Sequence, residues 1–115
     1  MLMRESEHRK DVRPHAHDGD GEVVLYHLAE SEQTYGHCRL IVKTVIEPGS
    51  SMGYHVHNGE MEFFYVLKGT LLIDDNGKET MVYPGDSFVT SEGEGHSIRA
   101  VGDETAEYLA IVVVK

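Results

Sequence analysis

His55 and His57 stand two residues apart, and Glu62 follows after four intervening residues. Successive side chains on an extended strand alternate between faces, so both imidazoles point to one side. The gap to Glu62 is long enough to cross a tight turn and return on a neighbouring strand. Two imidazoles and a carboxylate converging in this way form a donor set suited to a divalent transition metal. The same spacing occurs upstream at His15, His17 and Glu22. There Pro14 and the Asp18-Gly19-Asp20-Gly21 loop do not suit a strand, and a flexible triad would lose ordering entropy on binding a metal. That second triplet is therefore read as part of a polar arm.

The elements that must hold these residues are short strands. From Glu22 onward, brief apolar runs are divided by turn residues. Strands are expected at Val23–Leu28, Cys38–Glu47, Gly53–His57, Met61–Leu67, Thr70–Asp74, Glu79–Val82, Ser87–Thr90, His96–Val101 and Glu107–Val114. Asp75-Asn76-Gly77 signals a hairpin, because Asn-Gly accepts positive φ at both central turn positions. Glu47-Pro48-Gly49 and Tyr83-Pro84-Gly85-Asp86 are Pro-Gly turns. No stretch of ten or more residues shows a 3.6-residue apolar period, so the chain is all-β: a sandwich, jelly roll or small barrel. Residues 1–20 are polar and mixed in charge, and are expected to form an N-terminal arm, only partly ordered. Residues 21–115 form the single domain.

Cys38, Leu40, Val42, Thr44 and Ile46 alternate with Arg39, Ile41, Lys43 and Val45. The first set is expected inside, yet Ile41 and Val45 make the other face apolar too. A strand that is apolar on both faces needs cover on both, as does the nearly continuous run Tyr108 to Val114. A homodimer is the expected solution.

Composition narrows the function. The net charge is −10 and the ten basic residues are scattered, which argues against nucleic acid and against an anionic membrane surface. No segment approaches the roughly 20 apolar residues of a membrane span, and the N-terminus has no apolar leader, so the expected location is cytoplasmic. The single Cys38 excludes an intramolecular disulfide and a cysteine zinc cluster. Lying in an apolar run, it reads as a small hydrophobe and not a nucleophile.

With these residues laid out, the chain resembles the small single-domain cupins. Their first motif is a glycine, five residues, His-x-His, three or four residues, Glu, six residues and a glycine. Gly49, His55, His57, Glu62 and Gly69 fill every position. Of the second motif, Gly85, Gly93 and His96 match, while Ser91 stands at the proline position and Ala100 at the asparagine position. The upstream triplet lacks the glycine frame, having Arg9 and Ala29 there. The resemblance covers residues 36–114 and implies a double-stranded β-helix (jelly-roll) barrel. It also implies one divalent ion held by His55, His57, Glu62 and His96. Such a set accepts Mn, Fe, Ni, Cu or Zn, and in an octahedral field leaves two positions open.

Glu60 is a candidate acid, base or supporting group if it shares Glu62's strand; if Gly59-Glu60 is turn, it is solvated, and the turn is the expectation. Tyr26, Tyr54 and Tyr65 are read as packing residues that could offer a pocket hydroxyl. Phe64, Val66 and Ile98 are expected to wall the metal, and Arg99 to face outward. His27 and His37 have no ligand-spaced partner and read as structural or surface residues.

The fold implied hosts many chemistries, so it names no reaction. The first functional expectation is a metal-dependent protein acting on a small polar or anionic molecule, of the dioxygenase, sugar-phosphate isomerase or decarboxylase type. The alternative is a non-enzymatic binding or sensing module with the metal as ligand anchor. The sequence contains no output domain, which tilts the expectation toward an enzyme.

Overall fold

All nine strands expected from the apolar runs form, and one more precedes them. The computed structural model describes residues 1–115. In chain order the strands are β1 (Arg9–Pro14), β2 (Glu22–Ala29), β3 (Cys38–Ile46), β4 (Ser51–Val56) and β5 (Glu60–Lys68). They continue as β6 (Thr70–Asp75), β7 (Lys78–Val82), β8 (Ser87–Thr90), β9 (Gly95–Val101) and β10 (Ala106–Val114). They build two antiparallel sheets, one of order β1-β2-β3-β10-β5-β8 and one of order β4-β9-β6-β7. This is the jelly roll that the sequence implied. The only helical pieces are three short 3-10 segments.

Alternation fixes which side chains face inward. Val23 and Leu25 of β2, Val42 and Ile46 of β3, Phe64 and Val66 of β5, and Tyr108 and Ala110 of β10 are buried. They pack against Leu71, Ile73, Ile98 and Ala100 of the other sheet in one core. Phe64 touches both Phe88 and Tyr108, with ring centroids 4.9 and 5.0 Å away. Burying one such ring contributes roughly 1.5–3 kcal/mol. The Asn76-Gly77 pair adopts positive φ at both positions (51° and 95°), closing the β6–β7 hairpin as expected. Gly69, the last glycine of the first motif, has a different duty. Its φ is +77°, and a Cβ there would lie 2.7 Å from Ala106 Cα, so β5 and β10 could not approach.

The N-terminal residues are more ordered than the polar-arm expectation. Arg9 to Pro14 pair in full with His27 to Glu22 of β2, making β1 the edge of the larger sheet. The strand carries no apolar face because Arg9, Asp11 and Arg13 fill its inward positions. Pro14 is tolerated as the last residue of an edge strand, where its missing N–H costs no ladder bond.

Candidate metal centre

Sheet pairing brings the ligand candidates together from both sheets. His55 of β4 lies directly across from His96 of β9. His57 follows just beyond β4, where backbone bonds from His57 N to Glu94 O (3.0 Å) and from Gly93 N to His57 O (2.7 Å) extend the contact. Glu62 does not come from a neighbouring strand of the same sheet, as the spacing suggested. It reaches across the barrel from β5 of the larger sheet. The group thus joins the two sheets.

Four donor atoms meet at one point. His96 Nε2 lies 3.1 Å from His55 Nε2 and 3.2 Å from His57 Nε2. Glu62 Oε1 lies 3.0 Å from both His57 Nε2 and His96 Nε2. All four ligand atoms fall within 4.8 Å of one another.

Each outer ring nitrogen has its own partner. His55 Nδ1 donates to Gly53 O at 2.8 Å and His57 Nδ1 to Glu60 Oε1 at 2.9 Å, while His96 Nδ1 pairs with the Thr90 hydroxyl at 2.7 Å. With Nδ1 protonated, His55 and His57 turn Nε2 lone pairs inward, where His96 Nε2 and a carboxylate oxygen face them. Converging lone pairs repel unless a cation sits among them. Separations near 3 Å also match the edge of an octahedron whose metal–ligand bonds are about 2.1 Å. The donor set therefore fits a divalent ion.

Electrostatics agree. Burial pulls His55 down to about 4, against the Gly53 hydrogen bond, so it is neutral and able to ligate at neutral pH. Burial alone would raise Glu62, but with protons instead of a cation among the donors, hydrogen bonds from His57 and His96 outweigh it, leaving the carboxyl at about 2 and raising His57. A bound cation would take the place of those protons. Glu62 is an anion throughout the physiological range. Phe64 and Phe88 stand 6.1 and 6.3 Å from the His96 ring and exclude water on that side. Phe64, Val66 and Ile98 are fully buried, in line with the dry wall expected of them.

Above the ligands opens a cavity of about 450 Å³, bounded by both sheets. Its wall includes Arg13, His17, Arg39, Glu60 and Tyr108. Glu60 begins β5 and is no turn residue. Besides accepting from His57, its carboxylate takes two hydrogen bonds from the Arg39 guanidinium, from Nε and Nη2 at 2.8 Å each. That bidentate grip holds Glu60 below the ordinary carboxylate range. Burial pushes the Tyr108 phenol upward, leaving it neutral.

Alternation had placed Arg39 on the outer face. The β10–β3 register runs from Val112 opposite Leu40 to Val113 opposite Cys38, skipping Arg39. This bulge re-aims the side chain toward the cavity. Arg13 was missed for a different reason, since its strand has no apolar pattern. Its Nε and Nη2 lie 3.2 and 3.0 Å from Asp11 Oδ2.

The upstream triplet does not converge on a site of its own. Glu22 points to solvent at the start of β2, and His15 and His17 lie in the turn between β1 and β2. His17 instead joins the main centre, its ring stacked on His55 with centroids 3.9 Å apart and planes 13° off parallel. Tyr54 and Tyr65 are exposed, and neither these nor Tyr26 lines the cavity. Arg99 faces outward, bonded to Asp20 and the Gly49 carbonyl. His27 is buried against Asp11 (3.1 Å), and His37 is exposed. Cys38 is half-buried and away from the cavity.

Comparison with known proteins adds four findings. The cupin domain family model matches residues 42–112. An oxalate-binding protein of Thermotoga maritima is 37% identical over 114 residues, 99% of this chain and 94% of that protein. A crystal structure of a predicted oxalate decarboxylase from the same organism superposes with a TM-score of 0.95 at 36% identity, covering all of both chains. The polyketide cyclase RemF of Streptomyces resistomycificus shares the fold at 17% identity and a TM-score of 0.80, over 100% of this chain and 80% of its own.

Proposed function

The chain belongs to the cupin family, and from that premise we propose that it is a metal-dependent binding protein for a small dicarboxylate of the oxalate class. His55, His57, Glu62 and His96 would hold the ion. A divalent ion there supplies positive charge and open positions for ligand oxygens. The observation that carries the proposal is the pairing of this centre with two guanidinium groups on one cavity wall.

Arg13 and Arg39 each commit Nε and Nη2 to a carboxylate of the protein. That leaves each guanidinium both N–H groups of Nη1 and the second N–H of Nη2 as donors for a ligand. Such a cavity attracts a small dianion although the chain as a whole carries −10, because charges inside a recess outweigh those spread over the surface. The names of the two Thermotoga relatives support oxalate as the first ligand to try.

Binding is favoured over decarboxylation by the state of the carboxylates. Turning oxalate into formate and carbon dioxide breaks the carbon–carbon bond and puts a proton on the carbon left behind. Both carboxylates at the cavity are committed: Glu60 grips Arg39 and His57, and Glu62 faces two ligand histidines. Neither is poised to carry that proton.

Calorimetric titration with oxalate, on metal-loaded and chelator-stripped protein, tests the proposal. One metal-dependent site per chain with no formate produced is the expected result. Formate accumulation would favour the decarboxylase reading, and absence of oxalate binding to loaded protein would remove the ligand assignment.

A further inference from the structure

We infer that His17, outside the ligand set, is a positioning residue for the metal ligand His55. The three imidazoles of the centre are not held alike. His96 is fully buried, flanked by Phe64 and Phe88, with Thr90 on its outer nitrogen. His57 is buried and tied to the strand-borne Glu60. His55 is only half-buried, and its outer nitrogen bonds to the carbonyl of Gly53, a residue of its own strand.

The backbone at His55 is also the least supported. The β4–β9 register passes from Met52 opposite Ile98 to His55 opposite His96, so Gly53 and Tyr54 share one facing residue. A bulge leaves such residues outside the regular ladder. This is where the β1–β2 turn docks. A Cβ on Gly53 would run into the His17 carbonyl oxygen, and one on Gly19 into the Ser51 carbonyl oxygen, so the two segments interlock through glycine. Ser51 N donates to Asp20 O and Asp20 N donates to Ser51 Oγ, each at 2.9 Å, and Arg99 holds the Asp20 carboxylate at 2.7 Å.

The turn accepts backbone strain to make this fit. His15, His17 and Asp18 all have positive φ (48°, 49° and 63°), a region that side chains other than glycine seldom occupy. What the strained segment delivers is the His17 ring lying flat on His55. The other contacts among the ligand imidazoles are edge-on, at 70–82°. A parallel ring at 3.9 Å blocks rotation of His55 about its ring axis, as the phenylalanines do for His96. The N-terminal turn thus completes the metal centre without donating to the metal.

This inference rests on the metal reading above, and cobalt(II) titration separates the two. Native protein that binds no cobalt ends the metal reading, and the positioning role with it. Given native binding, two variants isolate the ring. His17→Asn keeps a residue tolerant of positive φ and removes the ring. His17→Phe keeps a ring and removes both nitrogens. Outer supports of metal ligands are worth about 10–100-fold in affinity, so His17→Asn should bind cobalt about tenfold more weakly, with altered visible bands. His17→Phe should stay close to native in affinity and spectrum. Native-like affinity in His17→Asn would overturn the inference. So would equal losses in both variants, which would assign the effect to a nitrogen of His17 instead of its stacked face.

Discussion

His57 Nδ1 and Glu60 Oε1 lie 2.9 Å apart, and the same carboxylate is clamped by Arg39 on its far side. The chain Arg39–Glu60–His57 therefore runs from the cavity wall to the centre, fixing the His57 tautomer and holding its Nε2 inward. Glu60→Ala removes the acceptor and leaves the guanidinium unpaired. Affinity for zinc should fall about 10–100-fold by competition against a chelator, with Glu60→Gln in between because its amide oxygen can still accept. An unchanged affinity in Glu60→Ala would show that the contact does not orient the ligand.

An ion held between the two sheets would link metal binding to stability. A ligand at 100 times its dissociation constant stabilises the folded form by about 2.7 kcal/mol. Thermal melts should therefore shift upward with zinc and return on chelation. His55→Ala should fold, since the side chain is only half-buried, but lose most of the shift. Equal shifts in native and variant protein would move the ion to other residues.

Asp11 offers a pH test away from the ligands. Its carboxylate takes hydrogen bonds from Arg13 and His27, and these two partners hold it below its ordinary value against the opposing effect of burial. A carboxyl depressed in the folded state contributes stability that is complete above its unfolded value and lost as pH falls through the folded one. Asp11→Asn should cost about 1 kcal/mol in urea unfolding near neutral pH. The difference from native protein should hold down to about pH 5 and shrink below about pH 4. A gap that persists in acid would mean the loss is one of packing.

How much of this was legible in the sequence follows from what each residue depends on. His55, His57, Glu62 and His96 were readable because the motif states their spacing, and the nine apolar strands because burial repeats every second residue. Arg39 was not, because a bulge breaks the alternation at that residue alone. β1 was not, because the side chains on one face are the charged Arg9, Asp11 and Arg13, which leave no apolar trace. His17 repeated a ligand spacing that proved empty as a triplet, and its ring meets the centre only through long-range docking of a strained turn. Local pattern reports the core, and it reports a polar rim poorly.

The outer face of the larger sheet predicts assembly. Ile111 of β10 lies between Ile41 of β3 and Phe63 of β5 in register, all three only half-buried within one chain. A second copy is the expected cover. Light scattering after size exclusion should give twice the 12.9 kDa chain mass, falling to a single chain for Ile111→Lys. A native monomer at micromolar concentration would leave this face without a partner of its own kind.

The matched family segment, residues 42–112, contains all four ligand candidates, yet Arg13, His17 and Arg39 all precede it. The four donor candidates and the residues that brace them or line the cavity's mouth thus come from different lengths of chain. Grafting another N-terminal hairpin onto β2 would exchange the cavity's lip and remove the ring stacked on His55, while all four donor residues stay in place. The first twenty residues act as a cap: exchanging them would change both the reach into the cavity and the support of one ligand candidate, without touching the four donor side chains.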